Sequence, residues 1–516
     1  MTHAVTTMGN YVKSSRECNT QGLKSKTTRG ALYSMGAQGV VFGLRLVSLM
    51  ALSRLLETDD FGVVNMAAVV TGFLGLFRDA GLSLAVVQRD SVTDAQAATL
   101  FWLNLAVGGI LAVLVAAVAP LLVMFYGDAR LLWITIALGT SFIFGAAGAQ
   151  HRALLQRDLR FGTLAIIDVG SLALSTTAGI VAAASGLGLW ALVVAAVCQP
   201  AFTTVAVWAV AQWIPGRPAR GTGVGAMVRF GSMVSLNNLV FYLAYNVDKV
   251  LLGRFWGAEV LGIYGRAYQL VNLPTENLNS TIGAVAFPAL SRIQTDAARV
   301  RSYFLKGYSL YLSLVVPIAA ACAFYADDIV LVFLGPKWSD AAPLFRLLTP
   351  VIFVFALTNP LAWLMLAQGQ AGRNLKIAFL VAPVVVLAYV IGLKDGARGM
   401  AASFSSAMLL LAGPIIVWAK HGTLVSNRDM VKTIGVPVLS IVVGVLAAWG
   451  AHGWVSGLPS ALVRLMAGCT VLFGAYLVVL LFVMKQRAVY LDLLATTGLW
   501  PIGARNRAAR ADEGAA

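Results

Sequence analysis

The chain has 516 residues, of which 59% are hydrophobic and 12% charged, and its mean hydropathy is +0.81. Soluble domains carry about 45–50% apolar and about 25% charged residues, so this composition excludes an ordinary soluble enzyme and describes a polytopic membrane protein. A formal charge of +16 would suggest a nucleic-acid partner in a soluble chain, but the placement of the charge gives it another meaning.

Residues 1–30 form a polar tail rich in Ser and Thr that carries Lys13, Arg16, Lys24, Lys26 and Arg29. With no apolar run in it, a cleavable signal peptide is not expected. A hydrocarbon core about 30 Å thick needs about 20 apolar residues per helix. By that measure the chain holds fourteen spans, near 31–53, 61–82, 97–121, 131–150, 163–185, 188–212, 230–252, 257–284, 307–325, 342–366, 376–393, 397–419, 433–451 and 460–485. With the N-terminus inside, 27 of the 38 basic residues fall on the inner side and 8 on the outer. Lys and Arg favour cytoplasmic loops, so both termini are assigned to the cytoplasm and no nucleic-acid partner is needed. The basic inner loops at His151, Ile214 and Ser291 are also placed to meet anionic membrane lipids, although topology alone accounts for them. No connection has room for a soluble catalytic domain.

The stretch from Phe230 to Arg292 has an echo earlier in the chain. Without gaps, Leu52–Ala67 over Leu252–Ala267 aligns Leu52 with Leu252, Arg54 with Arg254, Gly62 with Gly262 and Ala67 with Ala267, and sets Asp59 against Glu259. Both windows join two apolar helices, and the six spans between them return the chain to the same side, so the repeats are parallel. The expected architecture is all-α with about fourteen transmembrane helices: an N-lobe over 31–220, a C-lobe over 221–425, two appended helices over 426–485, and a cytoplasmic tail over 486–516.

Polar residues inside the spans form stripes. Arg45 lies about 12 Å from the outer end of its span, with Ser34, Gln38 and Ser48 on the same face. Ser235, Asn238, Tyr242, Tyr245 and Lys249 line up on span 7, and Arg266, Gln269, Asn272, Glu276 and Asn279 on span 8. Charge inside hydrocarbon costs several kcal/mol, so these faces are expected to look into a hydrated cavity or to pair with one another, as in Arg266 with Glu276 or Asp248 with Arg45. Pro274 removes a helical hydrogen bond in span 8 and is the expected hinge or kink. Arg78 and Asp79 read as an interfacial pair or an inner gate. Glu57, Asp59 and Asp60 resemble the acidic pair of membrane glycosyltransferases, but Thr58 and Asp60 also suit a helix cap in so short a loop. Scattered Cys and His residues offer no disulfide framework, zinc site or Ser/His/Asp triad. No Walker motif is present, and no cofactor is expected.

RLLETDDFGVVNMAAVVTGFLGLFRDAGLSLAVVQR, AQHRALLQRDLRF, DKVLLGRFWGAEVLGIYGRAYQLVNLPTENL, FPALSRIQ and LGPKWSDAAPLFRLL resemble the polysaccharide transporter family. The likeness is to its WzxC-like exopolysaccharide exporter branch, within the multidrug/oligosaccharidyl-lipid/polysaccharide (MOP) superfamily. It implies a two-lobed flippase of the bacterial inner membrane that moves an undecaprenyl-pyrophosphate-linked oligosaccharide to the periplasmic leaflet, where a polymerase and copolymerase act. The related lipid II flippase draws cavity arginines from its first, second and eighth spans. Arg45, Arg78 and Arg266 occupy comparable spans here. Gln38, Asn238, Tyr242, Tyr245, Gln269 and Asn272 complete the expected substrate surface, with Tyr264 and Tyr268 as further sugar-stacking candidates. Asp168, Asp248 and Glu276 are the candidates for ion coupling. A drug or cation antiporter of the same superfamily is the alternative, and a membrane glycosyltransferase or polymerase a more distant one.

Overall fold

The computed structural model describes residues 20–78, 93–218 and 242–487. Every regular element among them is helical. The long helices are α1 (Thr20–Leu55), α2 (Thr58–Gly75), α3 (Asp94–Tyr126), α4 (Leu131–Arg157), α5 (Phe161–Ala184), α6 (Trp190–Ala211) and α7 (Val247–Arg292). They continue with α8 (Ala297–Phe324), the short α9 (Ala326–Phe333), α10 (Ala341–Ala367), α11 (Ala371–Gly392), α12 (Gly396–Lys420), α13 (Asn427–Gly450), the short α14 (His452–Ser456) and α15 (Ala461–Val478). Ten stretches among the described residues are long and apolar enough to cross a membrane, and one of them, Gly372–Lys420, contains both α11 and α12. The chain is a multi-pass membrane protein of the expected all-α class. Most of span 7 lies outside the described residues, and span 2 is described only as far as Arg78. Span 8 falls within α7.

Helix ends follow local chemistry. At the start of α3 the Thr93 backbone N–H donates to Gln96 Oε1 at 3.1 Å while the Gln96 N–H donates to Thr93 Oγ1 at 3.2 Å, satisfying two otherwise orphan donors. Gly127, at φ 77°, ends the same helix in the left-handed region. Ser426 and Asp429 repeat the reciprocal cap at α13. At α2 the cap differs from the expected one: Glu57 holds the extended cap position and Asp60 accepts its backbone N–H at 3.1 Å.

The described residues group into two compact units. The first contains α1–α6, the start of α7 to Ala267, residues 333–341 and residues 378–404. Within it α3 packs on α4, α5 on α6, and α4 on α6. Lipid adds no hydrophobic drive between helices, so small residues carry this packing: Gly108 lies against Ala146 and the Phe142 carbonyl, and Gly179 against Ala195. Thr204 Oγ1 donates to the Phe144 carbonyl at 2.6 Å, tying α6 to α4. Met124 is 81% exposed on α3, as suits an apolar side chain bathed in acyl chains. In the second unit, α13 packs on α8 and α15. Buried tyrosines cross-link its helices, with Tyr476 donating to the Ser313 carbonyl at 2.8 Å and Tyr308 to the Leu357 carbonyl at 3.0 Å. Asp327 and Asp328 anchor α9 through Arg346 at 2.6 Å and Arg464 at 2.8 Å.

The repeat read from the sequence has a geometric counterpart inside the first unit. Glu57 breaks the path between α1 and α2. Two hundred positions later Gly257, at φ 82° and ψ 179°, breaks α7 in a conformation that essentially only glycine adopts. The helices that follow these breaks cross each other. A Cβ on Gly62 would overlap the Ala258 carbonyl, and a Cβ on Gly262 would overlap the Thr58 carbonyl. Exchanging each residue for its counterpart 200 positions away, 62 for 262 and 258 for 58, turns one contact into the other, and Gly265 lies against its own counterpart, Asn65. Thr58/Gly62 and Ala258/Gly262 are thus small-residue pairs four apart, the spacing that lets two backbones touch across a membrane. Gly62→Ala and Gly262→Ala are each expected to cost about 1–3 kcal/mol by forcing the helices apart. One separation serves both, so the double variant should lose less than the sum, which thermal melting in detergent will test.

Candidate functional site

The crossing sits at the end of the first unit that the basic-residue bias assigns to the outside. Gly335, at φ +99°, opens a turn whose following residues Pro336–Trp338 form a single 3-10 turn. That turn drives Trp338 into the unit, where the indole is fully buried and Nε1–H donates to the Ser53 carbonyl at 2.8 Å. Lys337 pairs with Glu57 at 2.6 Å on the surface above. Trp338 meets Phe61 edge-on, with centroids 5.3 Å apart. The other neighbour of Phe61 is Arg266, whose guanidinium carbon lies 3.7 Å from the ring centroid. Buried in this way, a cation is attracted to the ring face more strongly than it would be in water. Arg266 is itself 7% exposed, whereas Glu276, the partner the sequence offered, is exposed.

The other candidate residues divide by environment. Arg45 and Gln38 are exposed on α1, Arg78 lies over Gly145 of α4 with Nη1 in close contact, and Asn238 falls outside the described residues. Tyr242 donates its hydroxyl to the Val69 carbonyl at 2.8 Å, and Tyr245 packs against Phe404 at 6.3 Å. Tyr264 and Tyr268 are buried. Asp248, fully buried, accepts from the Tyr264 hydroxyl at 3.0 Å and from the Lys249 backbone N–H at 2.8 Å. Asp168 instead pairs with Arg152, whose two terminal nitrogens reach its two oxygens at 2.6 and 2.8 Å. In the second unit Gln269 and Glu276 are exposed and Asn272 half-buried. Pro274 lies inside α7, and neighbouring Thr275 and Asn277 side chains donate to the Val271 and Leu273 carbonyls at 2.9 and 2.6 Å. The non-helical residue within α7 is Gly257.

Sequence reasoning missed Phe61 and Trp338. An aromatic residue in an apolar helix and a tryptophan in an outer loop give no periodic signal of their own; the Gly-Pro-Lys-Trp turn was the available clue.

A second cluster stands at the same end of the first unit. Arg130 bridges Asp59 at 2.6 Å and Asp128 at 2.7 Å, joining the first turn of α2 to the α3–α4 connection. Hydrogen bonding from Arg130 holds the Asp128 carboxyl below its usual range, and the two carboxylates raise the arginine in turn.

Comparison with known proteins identifies the family. Residues 51–343 match a family described as polysaccharide biosynthesis protein. The chain belongs to that family. The polysaccharide biosynthesis family contains relatives consistent with the resemblance drawn from the sequence. The lipopolysaccharide biosynthesis protein WzxC of Escherichia coli is 27% identical over 392 residues, covering 74% of this chain and 78% of WzxC. The succinoglycan biosynthesis transport protein ExoT of Rhizobium meliloti is 23% identical over 486 residues, covering 92% of this chain and 96% of ExoT. Among solved structures, the inward closed lipid II flippase MurJ superposes with a TM-score of 0.68 at 13% identity, covering 87% of this chain and 98% of MurJ. An inward-facing MATE multidrug transporter of the MOP superfamily gives 0.56 at 13% identity, covering 75% and 94%. The fold is that of the MOP superfamily.

Trp338→Ala removes a fully buried indole and is expected to cost about 3–5 kcal/mol, with Trp338→Phe retaining part of the loss, in thermal melts of the purified protein. The Asp128 contribution to stability is present above the ordinary carboxylate range and is lost as pH falls through its depressed value. Acid melting curves of Asp128→Asn should therefore be flatter on that limb than those of the natural chain.

Proposed function

We propose that this protein is a flippase, carrying an undecaprenyl-pyrophosphate-linked oligosaccharide from the cytoplasmic to the periplasmic leaflet of a bacterial inner membrane. The observation that carries the reading is Arg266, a cation buried beneath Phe61 in an apolar span, in a chain of the polysaccharide biosynthesis family with a MOP fold. Pyrophosphate is anionic, and taking it unaided through about 30 Å of hydrocarbon would cost tens of kcal/mol. Arginine suits the load because its planar fork stays charged and binds phosphate through two parallel hydrogen bonds.

In this reading Arg45 and Arg266 attract the pyrophosphate, with Arg78 nearer the entrance. Gln38, Asn238, Tyr242, Tyr245, Gln269 and Asn272 serve the glycan, and the polyprenyl tail stays in lipid. The N-lobe and C-lobe, over 31–220 and 221–425, rock by alternating access, with both termini cytoplasmic. Pro274 and the Gly257 break are the candidate pivots. Among the ion-coupling candidates, Asp248 is the stronger, because its buried carboxylate has neutral and backbone partners, whereas Asp168 is engaged by Arg152. Glu276 is exposed and open to a cation. The delivered repeat units feed a polymerase outside, and the protein itself performs no covalent step.

The test is translocation of a fluorescent polyprenyl-pyrophosphate oligosaccharide in proteoliposomes. The natural chain should move it, and Arg266→Ala and Arg45→Ala at equal density should each slow movement at least about tenfold, equivalent to about 1.4 kcal/mol. Unchanged rates in folded variants would reduce those arginines to structural roles. A natural chain that moves a fluorescent drug cation and not the lipid would replace the flippase with an antiporter.

A further inference from the structure

The first unit contains a cavity of about 440 Å³ that Arg266 does not line. Its walls include Asp60, Arg130, Trp133, Leu187, Gly188 and Trp190. They come from the start of α2, the α3–α4 connection, the start of α4 and the α5–α6 turn, all of which the basic-residue bias assigns to the outer side.

We propose that this cavity is a binding site for a neutral saccharide unit on the outer face. The proposal rests on the flippase reading for the source of the sugar, and on the cavity itself for its chemistry. Trp133 and Trp190 lie at the starts of α4 and α6 and remain 64% and 40% exposed, so two accessible indoles border one cavity. Hexose rings present patches of C–H groups that stack on indole faces, and their hydroxyls need acceptors at the ring edge. Asp60 supplies one. Its Oδ2 is engaged by the Glu57 backbone N–H, while Oδ1 points toward Gly188, 3.9 Å from where a Cβ would stand. Gly186 and Gly188, at φ +80° and +53°, turn the opposite wall without side chains, which keeps the cavity open. Arg130 is held between Asp59 and Asp128 and retains N–H donors beyond those pairs.

Charge selects among ligands. Arg130 is already paired with Asp59 and Asp128, and Asp60 adds a further carboxylate to the lining, so negative charge is in excess and a pyrophosphate or phosphate group is disfavoured here. That leaves a neutral polyhydroxylated ring or a cationic headgroup. The volume falls within the roughly 300–1,000 Å³ of small-ligand sites and admits a saccharide. A quaternary ammonium would be drawn to an aromatic cage, but here its headgroup phosphate would also have to face the excess carboxylates. The saccharide is therefore favoured. Such a site would hold the sugar end of a delivered repeat unit while its pyrophosphate lies elsewhere.

The experiment is saturation-transfer NMR on the full chain in nanodiscs, using a panel of lipid-free neutral trisaccharides built from glucose, galactose and mannose, with choline chloride as competitor. At least one trisaccharide should receive saturation. Trp133→Ala and Trp190→Ala should each weaken binding at least about fivefold while melting temperature is retained. Asp60→Asn keeps an acceptor for hydroxyls and for the Glu57 amide, so sugar binding should stay within about twofold, and choline should not compete. Silence from the whole panel overturns the proposal, as does binding that survives both tryptophan substitutions. Choline binding that Asp60→Asn abolishes would make the cavity a lipid-headgroup site instead. Translocation is measured separately: a natural chain that translocates but binds no sugar overturns this site alone, and one that binds sugar but never translocates overturns the flippase reading alone.

Discussion

Backbone-to-backbone contact between the two repeats depends on two missing methyl groups. Gly62 lets α2 reach the Ala258 carbonyl, and Gly262 lets α7 reach that of Thr58. Because the contact is reciprocal, each repeat presents the same pair of small residues to the other, a local pseudo-two-fold built within one chain. What surrounds it depends on that approach: Asn65 against Gly265, Phe61 over Arg266, and Trp338 on Phe61. A larger residue at either glycine would displace all of them together.

The arrangement also explains why a strongly polar helix is tolerated. Span 8 carries Arg266, Gln269, Asn272 and Glu276, too many polar groups for a lipid-facing helix. Arg266 is shielded by an aromatic face and packed against α2, so its charge is sequestered by protein rather than by lipid.

Much of the fold was legible because hydrophobic length is a direct physical requirement of the bilayer. The ends of α4, α5, α6, α10 and α12 lie within a few residues of the expected spans except at the inner end of α4, which runs on to Arg157 in amphipathic sequence that a hydropathy window truncates. The repeat was visible as a few identities at an offset of 200. The break in α7 was less legible: proline is the usual signal, but α7 runs through Pro274 and departs from helical geometry at Gly257, whose φ of 82° no sequence window reveals. The candidate site was legible in its charges and not in its supports. Arg266 stood out because charge in an apolar span demands an explanation, whereas Phe61 and Trp338 are ordinary apolar choices whose meaning lies in what they touch. Asp168 shows the converse, since its partner Arg152 stands on the preceding helix, α4, which pairing rules within one span do not cover.

Phe61 has two neighbours of opposite character, a buried indole on one side and a guanidinium on the other. Its ring cannot leave one without disturbing the other. Removal of the ring would therefore strip the indole of its edge partner and the guanidinium of its aromatic cover together. A single benzyl group thus carries the packing of a tryptophan and the shielding of a cation at once, so a change of that one side chain is felt at both.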